Sequence, residues 1–125
     1  MFSLEPALSD LPILDPHPLQ DLLEIGAGME VVLELIGMLR EDVPCRMANL
    51  KQALEVADVK QVMMEAHQLK GSLSNLGLVR FADLARLVEE QARTGSLVDA
   101  SGWLAQMPLA YEEGLKALDE VFPAL

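Results

Sequence analysis

Aromatic side chains make up only 4% of the chain. With so few rings to fill an interior, the core must be built from Leu, Val, Ala and Met, a composition suited to helices rather than to a β-sandwich. A single cysteine, Cys45, has no partner for an internal disulfide and fits a reducing compartment; it is expected to be a small buried or half-buried hydrophobe. Basic residues are scarce, with 9 Lys and Arg against 20 Asp and Glu, for a net charge of −11. Nucleic acid and anionic membranes both reward Lys and Arg, so neither is expected as a partner, and a polyphosphate substrate is disfavoured. No apolar run approaches the roughly 18 residues of a membrane span. The opening segment is interrupted by Glu5, Pro6, Asp10 and Pro12 and has no basic stretch of the kind that begins a secretory leader. A cytoplasmic protein is the expectation. The chain also lacks a glycine-rich phosphate loop and carboxylates spaced as Mg²⁺ ligands, so it has no parts with which to use ATP.

What is present is helical periodicity. Half of the 125 residues are hydrophobic, enough for the core of one domain. Residues 1–17, punctuated by Pro6, Pro12 and Pro16, read as an N-terminal arm whose Leu8, Leu11, Ile13 and Leu14 dock on the remainder, residues 18–125. A short helix around Leu19 to Ile25 follows, begun by Pro18 and closed by Gly26 or Gly28. From Met29 to Val56 an apolar stripe runs through Val32, Ile36, Leu39, Val43, Met47, Leu50 and Leu54, with a kink or break predicted near Arg40 to Val43 because Pro44 interrupts it. Asp58, with Gln61 three residues on, marks the start of the next helix. A further helix spans about Val79 to Arg93, with Phe81, Leu84, Ala85, Val88 and Ala92 inward and Arg80, Arg86, Glu89, Glu90 and Arg93 on a solvated face. The last begins near Asp99 or Ser101 and carries Leu104, Met107, Tyr111, Leu115, Leu118 and Phe122, bending near Pro108. Four long amphipathic helices with short connections predict an all-α fold, an antiparallel up-down-up-down four-helix bundle with a short N-terminal capping helix.

The second long helix carries the chemistry. Val59, Val62, Ala66, Leu69, Leu73 and Leu76 form its buried stripe, and His67 lies about 120° from the centre of that stripe, on the flank leading to solvent. Lys60, Met63, Met64, Lys70, Gly71 and Ser74 share this flank. A histidine in a helix is ordinarily a surface or satisfied core residue. Gly71 argues for more, since glycine inside a helix costs roughly 0.5–1 kcal/mol relative to alanine and here vacates a space one turn from the imidazole. Lys70 disfavours protonation of the ring but stabilises an anion attached to it, which suits a nucleophile that is neutral before reaction and phosphorylated afterwards. Met63 and Met64 offer either core filling or an adaptable apolar contact patch. His17, between two prolines, cannot share a helix face with His67.

Ala66-His67-Gln68-Leu69-Lys70-Gly71-Ser72, followed by Asn75-Leu76-Gly77, resembles the signature of histidine-containing phosphotransfer (HPt) domains of bacterial and plant phosphorelays. The resemblance extends from about Asp15 to Phe122 in helix order and in the Arg93-Thr94-Gly95 turn. It implies that His67 is the phosphorylated residue, through Nε2, that Lys70 is its electrostatic neighbour, that Gly71 opens the way for the partner, and that Gly77 closes the helix. The end of the preceding helix often carries phenylalanine in such domains, where this chain has Met38 or Leu39, a departure that bears on packing more than on chemistry.

The implied partners are receiver domains of response regulators or hybrid histidine kinases, contacted through Lys60, Met64, Gln68, Gly71, Ser74 and Asn75. The phosphoryl group would come from the Asp of one receiver and pass to another, with Mg²⁺ held by the receiver and no cofactor or metal on this chain. That makes it a phosphocarrier without kinase activity, expected to be a monomer, and either free-standing or a portion of a larger hybrid kinase. A binding module that docks a receiver or kinase without carrying phosphate would have no reason to keep His67, Lys70 and Gly71 together. A metal-binding bundle fails on ligand count, since Glu65 and His67 point to different sides.

Overall fold

The computed structural model describes residues 11–123. Among them are five helices: α1 (His17–Glu24), α2 (Met29–Glu55), α3 (Val59–Asn75), α4 (Val79–Arg93) and α5 (Ala100–Val121). The four long ones run up, down, up and down, as short turns require. α3 packs most closely on α4, the α2–α3 and α4–α5 seams come next, and the α2–α5 seam is the thinnest. Val32, Leu50, Val62, Leu69, Leu73, Phe81, Leu84, Val88, Met107 and Leu118 are fully buried at the centre. Leu8 of the arm lies outside the described residues, while Leu14 packs against the core.

α1 closes one end of the bundle through Leu19, which is 1% exposed. The stretch before it is a strap laid over the α3–α4 turn, where the Asp15 amide donates to the Gly77 carbonyl at 2.7 Å and Arg80 donates twice to the Leu11 carbonyl. Arg80 is therefore half-buried against the strap rather than set on a solvated face, and its Nη1 also lies 3.5 Å from Glu113. Gly77 fits the crossing for two reasons. Its φ is +78°, and a Cβ there would lie 1.9 Å from the Asp15 carbonyl oxygen.

Of the kink or break expected near Arg40 to Val43, the break does not occur: α2 is one helix through Pro44. Proline removes the amide that would have bonded to the Arg40 carbonyl four residues earlier. The Tyr111 hydroxyl, from α5, donates to that same carbonyl at 3.3 Å, and Val43 and Leu39 hold the helix to the core on either side. Pro108 is likewise inside a continuous α5. Cys45 is exposed rather than buried, because Leu39, Val43 and Leu50 take the inward row and the next position along the backbone from Pro44 turns away from it.

Candidate functional site

α3 begins as its sequence requires, with Asp58 Oδ1 accepting from the Gln61 amide at 3.1 Å. Its buried stripe of Val62, Ala66, Leu69 and Leu73 then fixes the rotation of the helix in the bundle, and that rotation leaves the His67 side chain 66% exposed. Gly71 adds room beside it: nothing outside the helix's own backbone lies within 4 Å of where a Cβ would stand.

The ring is held from behind by a carboxylate. His67 Nδ1 lies 2.6 Å from Glu89 Oε2, Lys70 Nζ lies 2.5 Å from Oε1, and Arg93 Nη2 lies 2.8 Å from Oε2. Glu89 itself is 2% exposed, which corrects its expected place on the outer face of α4. The amphipathic pattern alone groups Glu89 with Arg80, Arg86, Glu90 and Arg93 on a solvated face. The overlooked signal is the row Ala82, Ala85, Glu89, Ala92, spaced by three, four and three residues. Small side chains at those positions let α3 and α4 approach, and an acid in such a seam must meet partners across it. Arg93 and Glu90 do remain exposed, and Arg86 is half-buried between Asp83 and Glu90.

The electrostatics follow from this geometry. Burial pushes the Glu89 carboxyl up, but the hydrogen bonds from Lys70 and His67, with the positive charge of Lys70, outweigh it and hold the group below the usual glutamate range. An ionised carboxylate only accepts, so the short contact to Nδ1 requires the ring proton to sit on Nδ1. In the neutral imidazole the lone pair is then on Nε2, the nitrogen turned away from Glu89.

The remaining predicted residues fall on both sides of His67. Lys60, two turns before it on α3, is exposed, as are Ser74 and Gly71, while Met63 is half-buried and Met64 is 45% exposed. Gln68 and Asn75 face α2 instead: Gln68 Oε1 accepts from Arg46 Nη1 at 2.5 Å, and Arg46 Nε lies 2.5 Å from Asp42. Asn75 and Ser72 border a groove shared with Leu35, Met38 and Asp42 of α2 and Leu22 of α1. Met38 is 57% exposed there, whereas Leu39 is buried. His17 pairs with Asp15 on the strap, at 2.7 Å. Among the described residues no group of three His, Cys, Asp or Glu side chains is placed to hold a metal ion, and no helix is long and apolar enough to cross a membrane.

A four-helix bundle that presents an exposed histidine from its second long helix fits a histidine-containing phosphotransfer domain. The family model of the Hpt domain matches residues 34–121, well over half of the chain, and the protein belongs to that family. Such domains carry phosphoryl groups on histidine in two-component phosphorelays, working with receiver domains. Among solved structures the chain is similar to the histidine-containing phosphotransfer protein B (HptB) from Pseudomonas aeruginosa PAO1, at 27% identity and a TM-score of 0.80, over 90% of this chain and 96% of the other. A search of curated proteins found no match.

Proposed function

We propose that His67 Nε2 accepts a phosphoryl group from the aspartyl phosphate of one receiver domain and returns it to the aspartate of another. The observation that carries this reading is the hydrogen bond from Nδ1 to buried Glu89 in a ring that is 66% exposed, which fixes the tautomer and aims the lone pair outward. In the transfer, the Nε2 lone pair forms a bond to phosphorus while the bond from phosphorus to the aspartyl oxygen breaks, and the carboxylate leaves with the electron pair. The ring keeps its Nδ1 proton and takes up a positive charge against Glu89. Such a loose phosphoryl transition state needs positioning and charge neutralisation more than covalent help. Mg²⁺ belongs to the receiver, and this chain supplies the nucleophile and the open ground over Gly71. Because no proton leaves the ring, the reverse step starts from the protonation state that the forward step produced, and the carrier works in both directions as a cytoplasmic monomer.

Incubation with radiolabelled, phosphorylated receiver domains tests the assignment. Wild-type protein takes up acid-labile label, and His67→Gln keeps its helical spectrum but takes up none. Label retained in that variant would defeat the assignment.

A further inference from the structure

Glu89 is contacted by more cations than one carboxylate requires. Lys70 alone balances its charge, from Oε1. Oε2 is shared by His67 Nδ1, at 2.6 Å, and Arg93 Nη2, at 2.8 Å. Because both donors meet on one oxygen, the guanidinium and the imidazole are no further apart than those two hydrogen bonds laid end to end. The two cations differ in freedom: the Lys70 side chain is 33% exposed, whereas that of Arg93, one turn beyond Glu89 on α4, is 63% exposed and lies mostly in water.

Phosphorylation of His67 rewrites the charges around that oxygen. Before transfer, Glu89 Oε2 serves a neutral ring and a guanidinium. Afterwards the ring is a cation, and a phosphoryl group of charge about −2 stands on its outer nitrogen. Lys70 and the imidazolium then supply two positive charges to one carboxylate, and the guanidinium next to the imidazolium is repelled by it. The phosphoryl oxygens attract that same guanidinium, whose planar fork of donors matches them. Lys70 cannot respond in the same way without leaving the buried Oε1 bare, which is costly.

We propose that Arg93 is a mobile clamp, bound to Glu89 while His67 is unmodified and moving to the phosphoryl oxygens once Nε2 carries the group. The exchange trades one hydrogen bond to Oε2 for hydrogen bonds to phosphoryl oxygen and changes no covalent bond. It rests on the reading of His67 as acceptor and adds a residue to the phosphorylated state that the resting state disguises as a surface ion pair.

The test uses the full chain phosphorylated by phosphoramidate, a small phosphoryl donor, and followed by ³¹P and ¹⁵N NMR. The charged groups around the His67 ring are Lys70 from α3 and Glu89, behind Nδ1, and Arg93 from α4; Lys60 lies two turns away, and Arg46 and Asp42 of α2 are engaged around Gln68 on the other flank. A guanidinium in contact favours the dianion, so Arg93→Ala raises the pH at which the phosphoryl group takes up its proton by about one unit, roughly tenfold in proton affinity. Arg93→Lys restores part of the shift, and the Nδ1–H signal of the phosphorylated ring persists in both variants. A ³¹P titration of Arg93→Ala superimposable on wild type overturns the clamp. So does loss of the Nδ1–H signal in Arg93→Ala, because Arg93 would then be a fixed support of the ring. Wild-type protein that takes up no phosphate on His67 is a separate result, which overturns the acceptor reading itself.

Discussion

Glu89 is 2% exposed yet stays ionised, because Lys70, His67 and Arg93 answer its charge from three directions. Replacing it with glutamine keeps the shape but turns an amide N–H₂ toward one of those donors. We expect Glu89→Gln to cost about 1–3 kcal/mol at neutral pH, the range for breaking a buried charged contact whose partners reach water. The pH dependence has a definite sign. Since the folded-state pKa is lowered, the contribution of Glu89 is fully present above its ordinary value of 4.5 and is lost as the pH falls through the depressed one. Urea unfolding of both proteins at pH 7 and at pH 3 checks this: the gap between them narrows in acid, and a gap that stays constant would assign the loss to packing. The same variant should shift the neutral His67 ring toward the Nε2–H tautomer, read from its ¹⁵N shifts. At this scale the sequence was half legible. His67, Lys70 and Gly71 announce themselves by spacing, but Glu89 does not, since a charge on an amphipathic helix looks solvated until the neighbouring helix is placed against it.

The turns and prolines decide where the helices begin and end. Gly77 and Gly95 both have positive φ, at +78° and +89°, but only Gly77 is crossed by another strand of backbone, whereas a Cβ at Gly95 would meet nothing within 4 Å. Gly95→Ala should therefore lose only the left-handed penalty, about 1 kcal/mol, whereas Gly77→Ala must also push the strap away and should lose roughly 3 kcal/mol or more. Thermal unfolding of the pair separates the two terms, and equal losses would mean that the strap contributes nothing. Helix positions were readable in advance because a 3.6-residue stripe constrains every turn of a long helix. The continuity of α2 was not, because its central proline is relieved by a tyrosine 67 residues further along the sequence, which no local pattern reveals.

At the scale of the whole molecule, four helices locked by one core present His67 without any rearrangement of the bundle. A partner must then come to the histidine as one rigid surface to another. Gly71→Glu should leave the circular dichroism spectrum and melting temperature nearly unchanged, while slowing transfer from a phosphorylated receiver by about tenfold or more through bulk and charge at the approach. Transfer at the wild-type rate would remove the argument for close contact there. The bundle order could be read from helix lengths and short turns, whereas the turn of Gln68 and Asn75 toward α2, although they neighbour His67 and Ser74 in sequence, could not, because it depends on where α2 is placed. Tyr111 ties α5 to α2. Burial raises its pKa, despite the opposing charge of Arg40, so the phenol keeps the hydrogen it donates to the carbonyl that Pro44 left without an amide. A nascent polypeptide that has emerged only as far as α4 would therefore carry a vacant acceptor midway along its first long helix, and synthesis of the final helix is what completes it.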